Sequence, residues 1–489
     1  MLNNDDAKKE SGQVTPLRDS ALQIIARLAA AGYEAYLVGG CVRDQWLSRA
    51  VKDYDIATSA LPERVEELFE RTVPTGLQHG TVTVVMDRQP FEVTTFRRES
   101  DYADFRRPEA VEYILELDED LRRRDFTMNA MAMDGVGRII DPFGGRADLE
   151  RGLLRCVGSA SERFSEDALR MLRCIRFAAE YGLEIEKESW SSLIQSAPLL
   201  THIAMERVRA ELERMLTGSD PNRALRLLEQ SGLLSHTKAP LLWRSLPASV
   251  SDWPDLRMLP EAGLRIAYVY GCLKASPADC AEDMRRLTFS GQQIGAVSAL
   301  LNARVQLAEA VIGCGGAGKA VGGLNASKSR MASVTPSHEA EASEDGAERF
   351  QEGKSSLEGQ AAERTAWILA AVQYGKDTLR SLLQLYRLDP AWVSRGTGSS
   401  NHRLADAIQV WLDNGENWLA DMPVAMLSEL HLTGQDVLQR LRLRGGPWTG
   451  KLLLSLLRQT ALGLLPNEKE ALLLAAEGQY DEYRETEKR

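Results

Sequence analysis

Tyr36-Leu-Val-Gly-Gly-Cys-Val-Arg-Asp44, followed by Lys52-Asp-Tyr-Asp-Ile-Ala57, is the stretch on which the reading of this chain turns. Glu34–Val38 reads as a strand feeding a Gly39-Gly40 turn, Arg43–Leu47 as a short helix, and Asp53–Ala57 as a second strand. In a strand of period two, Asp53 and Asp55 project to one side while Tyr54 and Ile56 face the other. Two neighbouring carboxylates repel unless a cation neutralises them, and hard Mg²⁺ together with a polyphosphate is the natural occupant. An Asp-x-Asp alone is commonly a solvated strand edge. The residues just upstream shift the balance toward a phosphate pocket. Gly39 and Gly40 let backbone come close to phosphates, Arg43 adds positive charge, and Asp44 can orient Arg43.

Outward from this stretch, Leu17–Ala31 has helical periodicity and stops at Gly32. Leu61–Phe69 carries a proline near a helix N-terminus. Thr81–Met86 and Phe91–Phe96 flank an Asp87-Arg88-Gln89-Pro90 turn, which predicts a hairpin. After Asp148 the strand signal fades. Glu166–Tyr181 and Met205–Leu216 carry apolar stripes at spacings of three and four, and Ala224–Gly232 is a helix with its glycine stop. A second all-helical unit is expected over Leu259–Val311, and helices resume at Ala366–Leu388. The fold class is therefore α+β: a small mixed α/β head, then an all-helical neck, body and tail. Expected boundaries are 17–150, 151–235, 236–400 and 401–489. Within the third segment, about 313–363 is glycine-rich and then Ser/Ala/Glu-rich, too poor in apolar side chains for a core, and is expected to be an exposed, flexible insertion. Its Gly318-Lys319 lacks the strand and the following Ser/Thr of a phosphate loop.

At 489 residues the chain should form roughly three or four domains. No run of eighteen apolar residues is present, so no membrane is expected as a partner, and the polar start lacks a signal-peptide core. The six cysteines have no Cys-x-x-Cys spacing, which argues against a zinc knuckle or a disulfide scaffold and fits a reducing, cytoplasmic setting. The net charge of −11 disfavours indiscriminate nucleic-acid binding, but arginines cluster locally at 97–98, 106–107, 122–124 and 170–176.

Three clusters bear the chemistry, and they fit nucleotidyl transfer, which needs a metal-bound triphosphate and an activated hydroxyl. Asp53 and Asp55 are the candidate metal ligands, and Glu92 on an adjoining strand is the candidate third carboxylate, although a solvated strand residue accounts for it equally. In Arg123-Arg-Asp-Phe-Thr-Met-Asn-Ala130, a helix cap explains the acid and the hydroxyl but not the basic run. Arg124, Asp125 and Asn129 can bind triphosphate and ribose. In Glu166-Asp-Ala-Leu-Arg-Met-Leu-Arg173, Asp167 and Arg170 at i and i+3 should share a helix face. By itself such a pair is usually a surface salt bridge. As a base reader, the acid accepts from an exocyclic amino group while the arginine donates to a ring nitrogen or keto oxygen. Cytosine and adenine both satisfy it; guanine and uracil do not. In the tail, Leu443–Lys451 contains glycines before an apolar helix, which read as a structural turn or as a hold on a backbone phosphate assisted by Lys451.

Together these clusters, with Asp141-Pro-Phe-Gly-Gly145, resemble bacterial class II tRNA nucleotidyltransferases, the CCA-adding enzymes of the polymerase β superfamily, over residues 20 to 235. Thr433-Gly434 and Gly446–Gly450 extend the likeness more weakly. The resemblance implies that Asp53 and Asp55 bind the catalytic Mg²⁺, and that Asp167 and Arg170 template the incoming CTP or ATP. Arg173 helps to fix the base, with Arg176 beside it in the same nucleotide-binding set. The tail would grip a tRNA lacking its complete 3′ CCA through shape and phosphates. No obligatory protein partner is evident. Poly(A) polymerases share the head, but Thr75–Thr81 follows the CCA-adding pattern. Glu99–Pro108 favours competence for adenine over CC-only addition. An A-adding half of a split pair, a poly(A) polymerase and an inactive RNA-binding adaptor are the alternatives.

Overall fold

The computed structural model describes residues 16–99, 111–273, 275–313, 360–395 and 402–487. The chain divides into two compact units, Met1–Arg257 with Arg286–Thr288, and Met258–Arg285 with Phe289–Arg489. In the first, α1 (Pro16–Ala30) buries Ala21, Ile24, Ile25 and Leu28, the stripe its periodicity predicts. There follow β1 (Ala35–Val38), α2 (Gly40–Trp46), β2 (Asp55–Thr58), α3 (Pro62–Leu68), β3 (Thr72–Gly76), β4 (Thr81–Met86) and β5 (Gln89–Thr95). Then come β6 (Arg97–Glu99), β7 (Val111–Tyr113), α4 (Leu117–Arg122), β8 (Ala132–Met133) and β9 (Ile139–Ile140). Seven of these strands form one mixed sheet in the order β3-β4-β5-β2-β1-β8-β9. β2 and β5 are its parallel neighbours, and the other pairs are antiparallel.

The expected hairpin is present but tighter. Met86 pairs with Gln89, leaving Asp87-Arg88 as a two-residue turn with φ of 52° and 65°, the left-handed geometry that matches strand twist. Asp87 is held there by the Ser20 hydroxyl at 2.7 Å. β2 begins at Asp55 rather than Asp53, but the predicted alternation survives: Tyr54 and Ile56 are buried, Asp53 and Asp55 exposed. Beneath the sheet, Val38, Ala57, Phe96, Leu121, Ala130 and Val157 share one core.

The helical part of this unit runs through α5 (Gly145–Glu150), α6 (Ala160–Glu166), α7 (Leu169–Tyr181), α8 (Lys187–Ser196), α9 (Met205–Thr217) and α10 (Pro221–Ser231). Gly182 and Gly232 stop α7 and α10 in left-handed conformation. Two short strands missed in the sequence, β10 (Leu153–Leu154) and β11 (Glu184–Ile185), pair in parallel. The continuous helix expected over Glu166–Tyr181 is broken. Asp167 is extended (φ −142°, ψ 102°), and its carboxylate accepts from the Leu169 amide at 3.0 Å. An aspartate that can satisfy free amides at a helix start competes with helix continuation.

The second unit is helical. It contains α11 (Ala262–Cys272), α12 (Pro277–Arg286), α13 (Gly291–Gly313), α14 (360–374), α15 (Lys376–Leu388), α16 (Trp392–Arg395) and α17 (His402–Ala420). α18 (Gly434–Leu441), α19 (Pro447–Ala461) and α20 (Lys469–Glu487) complete it. Its core stacks Trp367 on Trp411 and Tyr386 on Trp411. Helix is already present at 360–363, inside the segment expected to be an insertion; the remainder of that segment after Gly313, and 100–108 of the stretch tied to adenine competence, lie outside the described residues. No described helix is long and apolar enough to cross a membrane.

Candidate active site

The edge where β1 and β2 meet α2, α4 and α7 opens into a cavity of about 700 Å³. Seven arginines (43, 97, 123, 124, 170, 173 and 207) face it against four aspartates (53, 55, 125 and 167), an excess of positive charge that suits a polyanion. Gly39 forms the turn from β1 into α2 with φ 73° and ψ −125°, a conformation that glycine tolerates and side chains resist. A Cβ there would lie 2.8 Å from Arg124 Nη1, so the bare backbone is what lets this arginine close over the turn.

Asp53 and Asp55 line the cavity as expected. Desolvation by the surrounding walls, then the charges of Asp53 and Glu92, push the Asp55 carboxyl up to about 6, with Arg124 opposing. Asp55 opens onto the cavity, and the neighbouring acids Asp53 and Glu92 add to the upward push of desolvation. Glu92 follows from the parallel register: Ile56 pairs with Val93, which sets Glu92 alongside Asp55. Glu92 is nevertheless absent from the cavity lining, and the described residues hold no three-ligand cluster of His, Cys, Asp or Glu. A pair of carboxylates still fits a hard cation, because Mg²⁺ sites commonly use one or two protein carboxylates and take further oxygens from substrate phosphates and water.

The Arg123–Ala130 segment builds the cavity's back wall. Asp120, buried on α4, accepts from Arg123 at 2.9 Å and lies 3.4 Å from Arg124; these two outweigh burial and hold its carboxyl below the ordinary range. Asp125 is buried, which alone would raise its pKa. Arg173 at 2.7 Å, the Asn129 amide at 3.0 Å and nearby Arg170 bring it down to about 2. Asn129 in turn accepts from Arg43. Asp125 and Asn129 therefore spend these polar atoms on holding Arg173 and Arg43 in the cavity wall. Asp141-Pro-Phe-Gly-Gly145 is scaffold. Asp141 caps the Gly145 and Arg146 amides at 2.7 and 2.9 Å, and a Cβ on Gly145 would fall 2.2 Å from the Thr127 carbonyl oxygen.

Asp167 and Arg170 both face the cavity, but not as the partners that a continuous helix implied. The break at Asp167 turns its carboxylate to Arg207 on α9, with contacts of 2.7 and 3.3 Å. Arg170 reaches Glu166 at 2.5 Å and the Arg123 carbonyl at 2.9 Å. Arg173 stays in the wall. Arg176 does not belong with it: it bonds Glu211 at 2.6 Å and is not among the lining residues. One turn of helix beyond Arg173, it faces α9 instead. Lys451 lies inside α19 rather than before it, exposed beside a separate cavity of about 150 Å³ with Trp448 and Tyr480.

His79, Arg97, Phe177 and Arg207 line the cavity and were missed in the sequence. Arg207 sits in Met205-Glu-Arg-Val-Arg-Ala-Glu211, which reads as an ordinary amphipathic helix. Only the broken α6–α7 joint brings it to Asp167.

Known proteins match this arrangement. Residues 35–155 match the family profile of the poly A polymerase head domain, and 403–476 that of tRNA nucleotidyltransferase domain 2. A CCA-adding enzyme of Bacillus cytotoxicus is 44% identical over 282 residues, 57% of this chain and 69% of that one. This chain belongs to the CCA-adding enzyme family. Another member, from Geobacillus kaustophilus, is 52% identical over 251 residues, half of this chain; the match spans 61% of that relative's length. The crystal structure of the Bacillus stearothermophilus CCA-adding enzyme in complex with CTP superposes with a TM-score of 0.72 at 30% identity, covering 96% of this chain and all of that one. CCA-adding enzymes are metal-dependent nucleotidyltransferases, and the paired carboxylates suit that chemistry.

Proposed function

We propose that the protein is a template-independent tRNA nucleotidyltransferase that adds CCA to tRNA 3′ ends from CTP and ATP, releasing pyrophosphate. The observation that carries this is one cavity holding a carboxylate pair, an arginine wall and the Asp167/Arg170 edge together. Catalysis of phosphoryl transfer is largely positioning and charge stabilisation, and the residues divide accordingly. Gly39 and Gly40 admit the triphosphate close to backbone. Arg43 and Arg124 neutralise it. Asp167 accepts from the 4-amino group of cytosine or the 6-amino group of adenine, and Arg170 donates to the neighbouring ring nitrogen. Arg173, fixed by Asp125, closes the base side. Mg²⁺ held by Asp53 and Asp55 would lower the pKa of the attacking 3′ hydroxyl, easing loss of its proton, and offset charge on the leaving pyrophosphate. Glu92, alongside Asp55 on the next strand, would add negative charge that favours a bound cation.

We assign 17–150 as catalytic head, 151–235 as base-reading neck, 236–400 as body and 401–489 as a tRNA-binding tail in which Lys451 meets phosphate. The reaction belongs in the cytoplasm, consistent with five free buried thiols among the described residues. Two tRNA transcripts test the reading, one lacking all three terminal nucleotides and one ending in CC, each given labelled CTP, ATP or both with Mg²⁺. Addition of three residues to the shorter RNA supports it. AMP added only to the CC-ended RNA indicates an A-adding enzyme, long adenylate tails a poly(A) polymerase, and no incorporation an adaptor.

A further inference from the structure

Tyr181, the last residue of α7, does not line the cavity, yet it touches the group that holds one of the cavity's arginines. Its hydroxyl donates to Asp44 Oδ1 at 2.9 Å. The same carboxylate grips Arg43 through both oxygens, with Nε at 2.9 Å and Nη2 at 3.1 Å. The Arg43 guanidinium lies 4.3 Å from the centre of the Tyr181 ring, and that of Arg49 lies 4.5 Å away, distances at which a ring attracts a cation. The remaining arm of Arg43 reaches Asn129, which is itself fixed by Asp125. Arg43 is almost wholly buried. Asp44, Tyr181 and Asn129 therefore set its pose in the cavity.

We propose that Tyr181 is a positioning residue for nucleotide binding: hydroxyl and ring together lock the Asp44–Arg43 pair in the pose that Arg43 presents to the triphosphate. The inference rests on the cavity being the nucleotide site. A phenol is suited to this work because one group supplies both a donor and a π face. Burial, partly offset by Arg43 and reinforced by Asp44, pushes the phenol up to about 12, so the hydroxyl remains a donor at working pH. Phenylalanine would keep the ring and lose the donor. Leucine would lose both. The contact also ties α2 to the end of α7, where Arg49 reaches the Glu180 carbonyl at 3.3 Å and Ser219 holds the same carbonyl at 2.6 Å.

Wild type, Tyr181→Phe, Tyr181→Leu, Asp44→Asn and the Tyr181→Phe/Asp44→Asn double variant would be compared by calorimetric titration with CTP and ATP, and by steady-state CTP and ATP addition. Tyr181→Phe should weaken both nucleotides about 3- to 10-fold, raise KM in step and leave kcat within about twofold. Tyr181→Leu should be weaker still, and the double variant no weaker than Asp44→Asn alone, because the hydroxyl acts through Asp44. Wild-type affinity in Tyr181→Phe, or full additivity in the double variant, overturns the inference. So does a drop in melting temperature with unchanged affinity, which marks a merely structural tyrosine. Wild type that binds CTP but fails to extend tRNA defeats the proposed activity, while the binding comparison still decides Tyr181. Wild type that binds neither nucleotide defeats both.

Discussion

Replacing Gly39 with alanine tests the geometry of the cavity rim at its tightest point. The residue has φ 73° and ψ −125°, and forcing a side chain into such a conformation costs about 1–3 kcal/mol. The new Cβ would stand 2.8 Å from Arg124 Nη1, so the guanidinium must retreat by roughly 0.7 Å or more to reach an ordinary contact. That movement loosens its hold on Asp120 and on the Asn129 carbonyl, both at 3.4 Å, and draws positive charge away from Asp55. Gly152 supplies the control, since it too has positive φ (67°) but has nothing within 4 Å of a Cβ. For a unit of this size, each kcal/mol moves the melting temperature by about 2–4 °C. At about 1–2 kcal/mol for a left-handed alanine, Gly152→Ala should therefore lose roughly 2–8 °C with KM for CTP unchanged. Gly39→Ala should lose at least as much and raise KM about tenfold, because only there does strain displace an arginine that lines the cavity. Melting curves and steady-state CTP addition measure both quantities. A Gly39→Ala enzyme with wild-type KM would refute the claim that the bare glycine places Arg124.

Three further outcomes follow from the site. With Asp55 raised to about 6, its carboxyl becomes neutral as pH falls through that value, so Mg²⁺ affinity measured without nucleotide should drop between pH 7 and 5. Asp53→Asn should shift that titration to lower pH by removing a neighbouring charge, and a flat affinity profile in wild type would contradict both statements. Arg207→Met should release Asp167 from its two contacts, raising KM for CTP and ATP about tenfold and relaxing discrimination against UTP in single-nucleotide addition; unchanged KM would mean that Asp167 needs no such support. Arg176→Met should leave Glu211 short of its 2.6 Å partner, lowering the melting temperature by several degrees, while KM stays within about twofold; a large KM change would return Arg176 to the nucleotide site.

Local pattern made the head legible. Period-two alternation around Asp53 and Asp55, the Gly39-Gly40 turn and the Thr81–Met86 hairpin depend on residues close in sequence, and each forms near its expected place. The carboxylate pair, the Arg124–Asn129 wall and the Asp167/Arg170 edge meet in one cavity. What failed depended on tertiary competition. Glu166–Tyr181 has unbroken helical periodicity, but the Asp167 carboxylate binds the Leu169 amide and then Arg207, 40 residues away. Periodicity cannot register such a trade. The same reason hid Arg207 and the ion pair of Arg176, whose partner Glu211 lies 35 residues on. His79 escaped because a lone histidine in a turn carries no signal until β3 and β4, which flank that turn, are placed beside the cavity. The short β10–β11 pair is only two residues per strand, below the length at which alternation can be read.

The proposed mechanism has one carboxylate pair serve all three additions. Its most direct test is single-turnover extension by wild type and by the Asp53→Asn/Asp55→Asn variant on three tRNAs, ending before CCA, after C and after CC. Nucleotide binding would be titrated in parallel. The variant should lose every step together, by about a thousandfold or more, while still binding CTP and ATP. Loss of one step with the others intact, or full CCA addition by the variant, would contradict it.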